Sequence, residues 1–381
     1  MTLSLYVHIP FCIKKCVYCD FISGIYSPEN AASYVNALKR EISRISNDAA
    51  FSTLYIGGGT PTVLATDVLT EITDFIFSKL EFSENYEATI EANPGTVDTE
   101  KLTAVLLSGI NRISIGVQSF NEEELVFLGR IHNRKDSEAA VTIARDSGFS
   151  NIGIDLIYGI PGQSLNSWKT TLKKAVSLSP QHISMYELTM EEGTELYAMI
   201  KSNTVPENLR VVPLNEETII EMYEYAIDFL TSNGYLHYEI SNFARPDYFC
   251  RHNLNYWNRG EYYGAGLGAH SLVNNQRYHN TGSIKDYTRL LSANKSPLIH
   301  SESIDTEKAL SEEFFLGLRK TGGIRLETLS KLYGIDIADR YQKEIKKLTA
   351  AGLLEFDIPT SLMKLTRKGL LLSNEVFTEF I

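Results

Sequence analysis

Three cysteines, Cys12, Cys16 and Cys19, sit together in "CIKKCVYC", and the 381-residue chain has only four. Thiolates are soft ligands, so such a group points to an iron–sulfur cluster, a zinc site or a redox thiol. A structural zinc site usually draws four ligands from two pairs. Here the spacing is C-x3-C-x2-C with no partner pair, and Cys250 is far away in sequence. His8 is near, but it falls on a strand-like run and would need a different geometry. Three thiolates on a cubane 4Fe–4S cluster leave one iron without a protein ligand. An open iron can bind and activate a small molecule, as an open position does on a catalytic metal. The spacing therefore favours a cluster over zinc or a bare redox thiol.

Other candidates stand at the ends of β-like runs. "YIGGGTPT" carries Gly58, Gly59 and Thr60, where missing side chains let backbone approach a ligand. Glu91 in "TIEANPG", Gln118 in "SIGVQSF" and Asp155 in "GIDLIYGIPGQ" are polar groups on otherwise apolar strands. A lone acid on a buried strand is costly unless paired or bound. "CRHNLNYW" supplies His252, an imidazole able to ligate iron, with Tyr256 and Trp257 as flat amphipathic surface. The plainer reading is a packed loop, with His252 hydrogen-bonded and Cys250 a small buried residue. "GAGLGAHS" lacks the strand–helix setting of a dinucleotide fingerprint. It reads as backbone passing close to a cofactor or a barrel edge, with His270 a further candidate ligand.

The elements that would position these residues form an alternating pattern. β-branched and aromatic runs at 3–9, 52–58, 87–93, 111–117, 151–159 and 181–188 are separated by helical patterns near 29–45, 66–80, 98–108, 135–147 and 165–178. Six strands with crossover helices predict a parallel array, fewer than the eight units of a closed barrel and so open. Chemistry in such arrays sits at the carboxyl ends of the strands. Beyond about residue 200 the pattern changes to a helix at 216–232, a strand at 235–244 and an irregular stretch at 247–282. From about 305 a helix–helix–hairpin pattern predicts a winged-helix-like module. The expected domains are 1–200, the barrel; 201–300, its extension; and 301–381, the accessory module.

Composition narrows the partners. Hydrophobic residues make up 43% and charged residues 22%, ordinary for a globular protein. No apolar run is long enough to span a bilayer, and the first residues lack a signal-peptide pattern, so the expected compartment is the reducing cytoplasm. Contact with a membrane surface stays open. A net charge of −11 argues against a general nucleic-acid binder, and the C-terminal module has no dominant basic face.

"YVHIPFCIKKCVYCDF" resembles the radical S-adenosylmethionine (SAM) superfamily, and within it the oxygen-independent coproporphyrinogen III oxidases and their relatives. The resemblance implies an α/β fold, a partial (β/α)6 TIM-like barrel with a smaller winged-helix-like accessory domain. It implies a 4Fe–4S cluster on Cys12, Cys16 and Cys19, with SAM chelated by the unique iron and cleaved to a 5′-deoxyadenosyl radical. Gly58, Gly59, Thr60, Glu91, Gln118, Arg130 and Asp155 would contact SAM, with Tyr6 near its methionine portion. Arg130 read without the resemblance is an ordinary surface or capping arginine.

Two departures set the chain apart from the oxidases. Phe21 stands where they carry a further cysteine, and Tyr6 and Cys12 come without the extension they have ahead of the barrel. Both features, and the H-N-x-x-Y-W motif at 252–257, resemble the HemW type, regarded as heme chaperones. That resemblance implies heme or porphyrin as ligand, with His252 in its site, and acceptor hemoproteins and an electron donor as partners. Oxidative decarboxylation of coproporphyrinogen III is the alternative, and a radical-SAM enzyme acting on another substrate is a third.

Overall fold

The computed structural model describes residues 3–45, 49–202 and 214–381. Strand β1 (Leu3–Ile9) alternates, with Leu5, Val7 and Ile9 fully buried on one apolar face and Ser4, Tyr6 and His8 on the other. It is followed by β2 (Phe51–Gly58), β3 (Phe82–Ala92), β4 (Arg112–Gln118), β5 (Ile152–Tyr158) and β6 (His182–Glu187). The six pair parallel in chain order, the expected open array. The crossover helices are α1 (Pro28–Ile42), α2 (Thr66–Lys79), α3 (Thr99–Leu107), α4 (Glu122–Phe127), α5 (Arg134–Asp146) and α6 (Leu165–Ser177).

Their starts are chemically marked. Ser27, Asp98, Asn133 and Ser164 each accept a backbone N–H from the first turn of α1, α3, α5 and α6, and Asn133 with Asp136 forms a capping box. From α6, Trp168 is fully buried and donates its indole N–H to the Met222 carbonyl at 2.9 Å. The indole thus joins the later helix α7 (Glu216–Ser232) to the barrel.

The second half departs from expectation in two places. The run 235–244 is a hairpin rather than one strand, β7 (Leu236–Glu239) and β8 (Asn242–Ala244), and β8 pairs antiparallel with β6. The stretch 247–282 is ordered: a helix, α8 (Arg251–Trp257), then β9 (Tyr262–Ala265), β10 (His270–Val273) and β11 (Gln276–Asn280). Strand β9 pairs parallel with β1, Ser4 opposite Tyr262 through Val7 opposite Ala265. It is a seventh parallel strand. Strands β10, β11 and β12 (Leu298–Ser303) continue the sheet antiparallel beyond it. The glycine-rich "GAGLGAHS" therefore runs along the barrel edge. A Cβ at Gly264 would meet the His270 carbonyl oxygen at 2.0 Å, and one at Gly266 the Tyr34 hydroxyl at 2.5 Å.

After a helix at Thr306–Gly317, a three-stranded sheet of Ile324–Arg325, Leu362–Leu365 and Leu354–Asp357 packs with the intervening helices. Glu312, in that first helix, takes Arg259 Nε at 2.8 Å and Arg277 Nη1 at 2.7 Å, an ion-pair bridge to the strand extension.

Candidate cluster and cofactor site

The three cysteines lie in the loop after β1, pinned at both ends by backbone bonds. Gly59 N–H donates to the Ile9 carbonyl at 2.9 Å, Thr60 N–H to Phe11 at 2.7 Å, and Tyr26 N–H to Cys12 at 2.9 Å. Gly59 is required here, because a Cβ would stand 2.7 Å from the Phe11 carbonyl oxygen. All three thiols are free and half-buried, and they line one cavity of about 390 Å³. Thr60 donates to Cys12 Sγ at 3.6 Å and Arg130 Nη1 to Cys16 Sγ at 3.4 Å. Burial pushes the Cys12 and Cys19 thiols up, so metal binding must displace protons there.

The strand ends close the cavity. Gly58 ends β2, Glu91 lies near the end of β3, Gln118 ends β4, and Asp155 lies on β5; all four line it, with Gly59, Thr60 and Arg130. Tyr55 O–H donates to Glu91 Oε1 at 2.8 Å and Gly58 N–H to Oε2 at 3.0 Å. Burial nevertheless raises Glu91 to about 7, with the Asp155 charge adding to the effect. Burial also raises Asp155, against hydrogen bonds from Ser184 and Ser114 and the pull of Arg112. Arg130 is no surface arginine: its Nη2 donates to the Gly116 carbonyl at 2.7 Å and to Asn93 Oδ1. Asn93 in turn donates to Thr60 Oγ1 at 2.6 Å. One chain of bonds thus runs from Cys12 through Thr60, Asn93 and Arg130 to Cys16.

These residues fit an anionic thiolate cluster. Three free thiols share a wall, and a hydroxyl and a guanidinium donate to two of the sulfurs. Among the described residues no three His, Cys, Asp or Glu close on a single metal ion; a cubane spreads its ligands more widely and does not need them to.

Sequence reading missed Arg112, Ser114 and Asn93 on this wall. The signal was present: Arg112, Ser114, Gly116 and Gln118 alternate along β4, a polar face on a strand otherwise apolar.

Two expected residues lie elsewhere. Tyr6 bonds to His8 Nδ1 at 2.9 Å and lines a second cavity rather than the first. His252 reaches neither cavity. It is 1% exposed, its Nδ1 is bonded to Thr53 Oγ1 at 2.7 Å and its Nε2 to the Tyr256 hydroxyl at 2.9 Å. Both ring nitrogens are engaged and the imidazole packs against Tyr55 in the interior; the hydrogen-bonded histidine of the plainer reading is found, but on helix α8 rather than in a loop. Cys250 is fully buried, its thiol pushed up to about 12 by burial.

Residues 6–175 match the Radical SAM superfamily and residues 304–372 the HemN C-terminal domain. A Bacillus subtilis (strain 168) protein curated as heme chaperone HemW is 37% identical over 99% of each chain. The chain belongs to the HemW family. A Lactococcus lactis member with the same name is 35% identical over 99% of this chain and 97% of its own. Among solved structures, Escherichia coli coproporphyrinogen III oxidase (HemN), described as a radical SAM enzyme, superposes with a TM-score of 0.86 at 25% identity, covering 100% of this chain and 90% of that one. Membership of the radical SAM superfamily implies a 4Fe–4S cluster and SAM. Among the described residues no helix is long and apolar enough to cross a membrane.

Proposed function

We propose that the protein binds heme and delivers it to acceptor hemoproteins in the reducing cytoplasm, with a reduced electron carrier supplying its cluster. The end-to-end likeness to curated heme chaperones carries this reading. Cys12, Cys16 and Cys19 would hold the cluster, and Gly58, Gly59, Thr60, Glu91, Gln118, Arg130 and Asp155 would line the SAM site. Cluster and SAM, once bound there, would together supply one-electron radical chemistry. The protein's part is to hold the thiolates, orient the ligand with Glu91 and Asp155, and keep water out.

The fold likeness to the oxidase favours a second reading, oxidative decarboxylation of coproporphyrinogen III. One experiment separates the two. Reconstituted protein is titrated with heme by absorbance, then given coproporphyrinogen III, SAM and a reductant. Heme binding without protoporphyrinogen IX formation is expected. Product formation without heme binding would transfer the assignment to the oxidase.

A further inference from the structure

The cluster site leaves a second cavity of about 650 Å³ without a role, a volume within the range of small-molecule sites. Its walls are largely aromatic and aliphatic, with Tyr256 and Trp257 from α8 facing Phe315 and Leu316 of the C-terminal module. Polar groups on these walls are few and specific. Strand register puts Leu272 opposite Arg277, so His270, two residues from Leu272, shares their face. Arg259 joins Arg277, the two guanidiniums sharing the carboxylate of Glu312, and Asp20 lines the same cavity.

His270 differs from the other histidines near the sites. The ring nitrogens of His8 and His252 are all engaged. Those of His270 have no hydrogen-bond partner among the described residues; its ring stacks on His279 at 4.7 Å. Partial burial, then the neighbouring His279 and Arg277, hold its imidazole below the ordinary value, so a nitrogen lone pair is available at neutral pH. A flat apolar wall, two guanidiniums and an imidazole with a free lone pair together complement an apolar disc that carries carboxylates and an iron.

We propose that this second cavity is the heme site, with the macrocycle against Tyr256, Trp257 and Leu316, its carboxylates toward Arg259 and Arg277, and His270 as the iron ligand. The assignment rests on the heme-binding reading above. Asp20 and Phe21 line both cavities, so a macrocycle seated here lies beside the cluster site, across these two residues.

The test titrates heme and iron-free protoporphyrin IX into the wild type, His270→Ala and Leu316→Trp. His270 is exposed on a sheet extension and Leu316 half-exposed, and neither lines the cluster cavity. His270→Ala is expected to shift the heme absorption band and weaken heme about tenfold while keeping protoporphyrin IX. Leu316→Trp is expected to weaken both ligands about tenfold. Cluster iron should stay at the wild-type level in each. If the wild type binds heme and both variants match it in affinity and spectrum, the site is overturned while the function stands. If the wild type binds neither ligand, the heme reading itself falls and the site with it.

Discussion

Glu91 carries a proton at the lower end of the neutral range because burial outweighs two hydrogen bonds to its carboxylate. The unfolded chain releases that proton near 4.5 and the folded chain near 7. Between those values the folded state binds more protons, so stability is fully present below 4.5 and falls as pH rises to 7, by about 3 kcal/mol. Glu91→Gln should flatten that decline in urea melts run from pH 4 to 8; an unchanged slope would remove Glu91 as its source. The cysteines permit a sharper contrast. Alanine at Cys12, Cys16 or Cys19 should each abolish most cluster iron after anaerobic reconstitution, whereas Cys250→Ala should retain it. Cys250 lies in the core with its Sγ 3.8 Å from Glu87 Oε1. Equal loss in all four variants would put Cys250 among the ligands. The three cysteines were legible because ligand spacing is local. The partner of the hydrogen-bonded His252 was not, since its bond to Thr53 links residues distant in the chain.

Strand β4 shows what an element must do to bring chemistry to its end. Gln118 turns the chain at φ 66, a left-handed conformation that costs a non-glycine residue about 1 kcal/mol. Gln118→Gly should therefore leave stability within about 1 kcal/mol, relief of strain offsetting the entropy of a flexible residue. SAM affinity should fall nonetheless, because the amide is gone. Calorimetry with the cluster intact would expose the opposite case, undiminished binding, in which Gln118 serves only the turn. Crossover helices α1, α3, α5 and α6 were readable because an amphipathic pattern follows a polar cap; α2 was readable by its apolar spacing alone, since Ala65 at its start makes no side-chain cap bond. Strand β9 was not, because four residues containing a glycine give no periodic signal and their partner lies at the other end of the chain. The short helix α4 escaped for the same want of length.

At the scale of the molecule, Glu312 holds the C-terminal module to the sheet extension. Its side chain and that of Arg259 are nearly buried, while Arg277 is about a third exposed and screened accordingly. Glu312→Gln should cost about 2–3 kcal/mol, chiefly by leaving Arg259 unpaired, and lower the melting temperature. A melt unmoved by that change would mean the apolar contacts alone hold the module. The winged-helix-like pattern was visible in sequence, but this bridge was not, since nothing in Glu312 itself announces two arginines folded beside it. The seventh strand has a consequence in time. Strand β1 lies between β2 and β9, yet β9 is made only after residue 261. At about 5–20 residues per second of synthesis, β1 keeps one edge unpaired for roughly 10 to 50 s. The cysteine loop leaves the ribosome early and waits, attached to a barrel whose first wall is still open. Nascent chains arrested before Tyr262 should accordingly be cut by protease near Leu3–Ile9, and chains arrested well past Ala265 should resist.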